Sequence, residues 1–93
     1  MKYFDWDDEK NELLKRERGI SFEEVVFHIE KGDVLDVIDH PNAAKYQSQK
    51  VYIVDIDGYA YLVPFVVTQD VRFLKTIIPS RKMTRKYLYD DEN

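Results

Sequence analysis

Residues 51–78 read VYIVDIDGYAYLVPFVVTQDVRFLKTII, and this stretch decides the fold. Val51 to Ile56 and Tyr59 to Val67 are rich in β-branched and aromatic side chains, and only Asp57-Gly58 separates them. An Asp-Gly pair between two such runs predicts a hairpin with a two-residue turn. Thr68-Gln69-Asp70 makes a second tight connection into a strand predicted over Val71 to Ile78. Three consecutive strands with short turns form an antiparallel meander. Pro64 lies inside the second of them and predicts an edge position or a bulge, because proline cannot donate to a ladder.

Upstream, Val34 to Ile38 reads as a short strand that extends the meander to four, followed by the polar loop DHPNAAKYQSQ. Ser21, with Glu24 three residues on, has the capping-box pattern of a helix start. Phe22, Val25, Val26 and Ile29 repeat at helical spacing, and Lys31-Gly32-Asp33 closes that helix. An earlier helix runs through DWDDEKNELLKRER, capped by Asp5 or Asp7 and stopped at Gly19. Downstream, Ser80 caps a last helix that runs to about Tyr89. The expectation is one α+β domain over residues 1–93. It has two N-terminal helices, a four-stranded, mainly antiparallel meander sheet and a C-terminal helix.

Composition narrows the functional classes. The chain has no cysteine, which excludes a disulfide framework, a thiolate metal site and a cysteine nucleophile. Its acidic N-terminus, MKYFDWDDEK, lacks the apolar core of a signal peptide, and no apolar run is long enough to span a membrane. The expected location is the cytoplasm. With three glycines in all, a glycine-rich phosphate loop is absent.

Charge is unevenly spread. Residues 1–70 carry 8 basic against 15 acidic side chains, whereas 71–89 carry six basic and no acidic ones. The six are Arg72, Lys75, Arg81, Lys82, Arg85 and Lys86. Such a strip can grip a phosphate or a short nucleic-acid strand even in a chain of net charge -4. Arg81 and Lys82 fall in the first turn of the last helix, where cations are unfavourable unless an anion sits there too. Strand alternation puts Arg72, Leu74, Thr76 and Ile78 on one face, and Val71, Phe73, Lys75 and Ile77 on the other. The plainer reading is a solvated basic helix salt-bridged to the acidic first helix or to a partner.

Tyr59 and Tyr61 share a face and could stack on RNA bases, although strand tyrosines more often serve as packing residues. His28 falls at the core margin of the second helix, and His40 in the polar loop. Asp5, Asp7 and Asp8 are explained by helix capping. Asp55-Ile56-Asp57-Gly58 lacks the spaced ligands and closing glutamate of a calcium loop. No metal or other cofactor is expected.

The opening FDWDDEKNELLKRERGISFEEV and the close TIIPSRKMTRKY together resemble the BrnT family of bacterial toxins, small RelE-like ribonucleases of type II toxin–antitoxin operons. Phe4, Trp6, Asp7, Lys10, Asn11, Gly19, Ile20, Phe22 and Glu23 carry the first half of the resemblance. Ile77, Ile78, Arg81, Lys82 and Thr84 carry the second. It implies a RelE-like fold, a metal-independent RNA-cleaving activity that stops translation, and a separate antitoxin chain that neutralises it. The antitoxin would carry the DNA-binding element, so this chain would bind RNA, alone or at the ribosome, and not DNA. By the same resemblance Arg81 contacts phosphate and the transition state, with Lys82 beside it.

Two places depart from the family pattern. Glu17-Arg18 stand where Lys-His is usual, and Thr76 stands where an arginine is usual, with Lys75 adjacent. Lys75 and Arg18 are the nearest replacements. Lys75 would serve in proton transfer, a role open to a lysine taken out of water. Arg72, Arg85, Lys86, Arg18, Tyr59 and Tyr61 complete the expected RNA-binding set. The alternatives are a catalytically weakened relative acting as an antitoxin-binding module, or an RNA-binding protein without chemistry.

Overall fold

Where Asp57 and Gly58 turn the chain, both residues adopt positive φ, 56° and 85°, as a tight hairpin turn requires. The Asp55 side chain accepts a hydrogen bond from Gly58 N–H at 2.9 Å and fastens the turn. In the computed structural model, residues 3–39 and 49–89 are described. His40, most of the polar loop and Asp90 to Glu92 lie outside them. The strands are β1 (Tyr3–Asp5), β2 (Val34–Asp39), β3 (Gln49–Ile56), β4 (Tyr59–Thr68), β5 (Val71–Leu74) and β6 (Ile78–Pro79). The helices are α1 (Asp8–Arg18), α2 (Phe22–Glu30) and α3 (Arg81–Thr84), the last continuing as a π-helical turn over Arg85–Tyr89.

The architecture is α+β around one mixed, six-stranded sheet of order β1-β5-β4-β3-β2, with β6 also against β4. Neighbours from β2 to β5 are antiparallel, as the hairpin reading implies. Two features were not anticipated. Residues 3–5 form a strand parallel to β5, too short to show any periodicity. The strand expected over Val71 to Ile78 is also broken into β5 and β6.

Pro64 explains the break. Its carbonyl accepts from Lys75 N–H at 2.8 Å, so its ring nitrogen faces the same neighbour and has no proton to give. Phe65 pairs with Leu74 and Leu62 with Ile78. β4 therefore advances three residues while its neighbour advances four. The extra residue is a β-bulge, and it reverses the side-chain alternation beyond it. Ile77 thus turns into the helix-side core and is fully buried, instead of sharing the face of Phe73 and Lys75. β4 is central, not an edge, and the bulge lies in its partner.

One face of the sheet carries α1 and α2. Phe22, Val25, Leu14 and Ile20 pack there on Tyr52, Val54, Ile56, Val63, Phe65, Leu74 and Ile77. Asp7 and Ser21 cap the two helices through Glu9 and Glu24 N–H, and Gly19 ends α1 at φ 66°. Asn11, 3% exposed, joins them: its amide donates to Glu23 at 2.8 Å and its carbonyl accepts from Phe22 N–H at 2.8 Å.

The C-terminal helix crosses the reverse face. Thr84 Oγ1 accepts from Ala60 N–H at 2.8 Å, and Tyr87 donates to Asp36 at 2.6 Å. Asp36 pairs with Ile53, whose fully buried side chain points away from α1 and α2. Among the described residues, no helix is long and apolar enough to cross a membrane.

Candidate nucleic-acid interface

The bulge and the helix crossing divide the expected RNA-binding residues between the two faces of the sheet. Arg72, Arg18, Tyr59 and Tyr61 fall on the helix side. Arg72 donates to the Tyr52 hydroxyl, and its guanidinium lies 5.9 Å from the Tyr52 ring centre and 5.6 Å from that of Phe65. Those two rings stack at 4.2 Å, and Phe4 leans on Tyr52 at 6.4 Å. An arginine in such a cradle holds the β1 end of the sheet through cation–π attraction. Arg18 donates to the Ile77 carbonyl at 2.7 Å and ties the end of α1 to the bulge. That is also a fastening role.

Tyr61 packs against the core and meets Tyr59 edge to face at 5.7 Å. Burial, then the nearby Glu24, Tyr59 and Asp57, push its phenol above the ordinary value. The packing reading of these two tyrosines is the one the geometry favours.

Lys75, Arg81, Lys82, Arg85 and Lys86 differ from that group. All five are exposed, and among the described residues none forms an ion pair. The acids of α1 do not reach them, because the C-terminal helix lies across the sheet from α1. Of the plainer reading, a solvated basic helix salt-bridged to the first helix or to a partner, the solvated helix stands and the salt bridge to the first helix is overturned. The four ion pairs among the described residues lie elsewhere: Lys15–Glu12, His28–Asp33, Lys31–Asp33 and Lys50–Asp39. Lys75 is not taken out of water. It stands at the rim of a groove, its ammonium 5.7 Å from the Phe73 ring centre. Proton transfer by a desolvated Lys75 therefore loses its physical basis.

Ser80 positions the head of the strip. Its side chain accepts from Met83 N–H and its carbonyl from Thr84 N–H, fixing the first turn that displays Arg81 and Lys82. Beyond Thr84 the helix widens into π-type turns, a form found often at functional sites. His28 is committed elsewhere, with Nδ1 2.7 Å from Asp33 at the close of α2. The His28 contact is the main cause that holds the Asp33 carboxyl below its ordinary value. Among the described residues, no three carboxylate, histidine or cysteine side chains cluster as a metal site would require.

The Tyr87–Asp36 hydrogen bond clasps this basic helix to the sheet. It lowers the Asp36 carboxyl and raises the Tyr87 phenol from their ordinary values of 3.8 and 10.0. A lowered carboxylate stabilises fully above its ordinary value and loses that contribution as pH falls through the folded one. A raised phenol stabilises below its ordinary value and loses that as pH rises through the folded one. The clasp is thus intact between those limits. The acid limb of a stability–pH curve should be shallower in Asp36→Asn, measured by urea denaturation from about pH 2 to 5. An unchanged limb would refute the clasp.

Geometry and charge together define an α+β domain with a one-sided cationic surface built on a basic C-terminal helix. No protein-family model, curated protein or solved structure matches the chain.

Proposed function

We propose that this chain is the toxin of a type II toxin–antitoxin pair: a RelE-like ribonuclease of the BrnT kind that needs no metal ion. It inhibits translation by cutting RNA in the cytoplasm, and a cognate antitoxin neutralises it. The observation that carries the reading is the set of five exposed cations, Lys75, Arg81, Lys82, Arg85 and Lys86, without ion pairs among the described residues. Like charges gathered in one strip repel and do not add to stability by themselves. An anionic partner gives the arrangement a purpose.

Cleavage without a metal needs a base for the 2′-hydroxyl, an acid for the leaving 5′-oxygen and cations on the phosphorane. Arg81 supplies the charge and a fork that fits two phosphate oxygens, and Lys82 adds a second cation beside it. Lys75, Arg85 and Lys86 hold flanking phosphates. Arginine stays protonated and cannot be the base, so the rate rests mainly on positioning and electrostatics.

A second reading, a catalytically weakened relative that binds antitoxin, is favoured by one observation. The only histidine among the described residues is engaged with Asp33, on a helix across the sheet from the basic helix. Induced expression separates the two. The toxin reading expects growth arrest with RNA degradation, relieved by Arg81→Ala or by co-expressed antitoxin. Normal growth despite tight antitoxin binding favours the weakened relative.

A further inference from the structure

The reverse face of the sheet holds a feature that the cationic strip does not account for. Val66, Thr68, Gln69, Val71, Phe73 and Lys75 line a groove of about 390 Å³ at the β4–β5 turn. That is near the lower end of the size range of small-ligand sites. Its floor follows from register: Val66 pairs with Phe73 and Thr68 with Val71, so all four side chains share the face that α1 and α2 do not cover. The floor is apolar with an aromatic ring, and the rim is polar with one cation.

Gln69 adds a second observation. It is the first residue of the two-residue turn between Thr68 and Val71, and its φ is 55°. Glycine or asparagine takes such a conformation with less strain. Here the strain places a side-chain amide, with two donors and an acceptor, at the groove rim.

The groove and the basic helix occupy the same face of the sheet. Arg81 follows Pro79, which pairs with Tyr61, whereas the groove centres on Val66. Five residues of β4 separate those points, about 17 Å at the rise of a strand. A strand of RNA held by Arg81 would therefore reach the groove with a nucleotide some way along from the cut.

We infer that this groove is a nucleobase slot for single-stranded RNA. One base lies on Phe73, Val66 and Val71, its phosphate meets Lys75, and the Gln69 amide meets the base edge. Stacking on an aromatic ring is tolerant of sequence, and the amide supplies what base preference there is. The inference rests on the RNA reading above. The slot lies away from the scissile phosphate, so it governs affinity and base choice but not the chemical step.

The test uses the full chain and a fluorescein-labelled eight-residue 2′-O-methyl oligoribonucleotide, which lacks the attacking hydroxyl and so binds without being cut. Phe73→Leu is expected to raise Kd about tenfold by anisotropy, with the salt dependence unchanged. Lys75→Ala should lower the slope of log K against log salt by about one. Phe73→Tyr keeps a ring and should restore binding, which guards against misfolding of the leucine variant. Gln69→Asn should alter the preference among U8, A8 and C8 versions of the probe.

Equal Kd values for wild type and Phe73→Leu would overturn the slot, as would a wild type that fails to bind. Loss of antitoxin binding in Phe73→Leu with RNA binding unchanged would give the groove to a protein partner, and also overturn it. Cleavage of ordinary RNA is read separately. Binding that follows Phe73 without any cleavage would refute the nuclease reading and leave the slot standing.

Discussion

Arg81→Ala is expected to slow RNA cleavage by about 100-fold or more, the loss typical when one preorganised donor to a developing charge is removed. Arg81 is exposed at the head of the C-terminal helix, and no carboxylate among the described residues holds it. A cation in that turn opposes the helix dipole, so its removal should leave the melting temperature unchanged or slightly raised. The combination is diagnostic, because a structural arginine would lose stability and activity together. Arg81→Lys should recover only part of the rate, since an ammonium keeps the charge and loses the fork. Initial rates on a single-stranded RNA, with thermal melts of the same samples, decide it. A wild-type rate in Arg81→Ala would remove the residue from the site.

Phe22→Ala should lower stability by about 3–5 kcal/mol, the cost of emptying a large buried aromatic site. Phe22 is fully buried where α2 begins and stacks on Trp6 at 5.7 Å with an interplanar angle of 21°. Its backbone N–H is also the proton that Asn11 accepts, so the emptied site lies beside the α1–α2 joint. A chain of 93 residues has roughly 5–14 kcal/mol to lose at typical stabilities per residue. Each kcal/mol shifts melting by about 4–8 °C in a domain of this size, so a fall of about 12 °C or more is expected. Urea denaturation followed by tryptophan fluorescence would measure it. A loss under 1 kcal/mol would contradict the packing of α2 against the sheet.

The turns and caps were legible because their signals are local. Asp57-Gly58, Gly19, Ser21 and Ser80 each occupy the place their chemistry predicts. The bulge was not legible in full. Pro64 announces that a donor is missing, but only the sheet shows which neighbour would have received it. From that one residue follow the burial of Ile77 and the break after Leu74.

The candidate site divides in the same way. The basic run was plain in the chain, whereas the internal partners of Arg72 and Arg18 depend on contacts over 20 and 59 residues. The groove had a partial signal. Val71, Phe73 and Lys75 alternate onto one face, but Val66 and Gln69 join them only once β4 and β5 pair in register. Asn11 belongs to the stretch that carries the toxin resemblance, and its geometry gives it a purely structural task between two helices.

In the proposed toxin these cations serve the cutting of RNA. Purified protein incubated with a single-stranded RNA in excess chelator tests it most directly, with products resolved by gel and their ends identified. Discrete cleavage is expected, which persists in chelator, falls steeply with salt and disappears on mixing with antitoxin. Intact RNA at micromolar protein, under salt low enough for binding to be measured in the same tube, would contradict it.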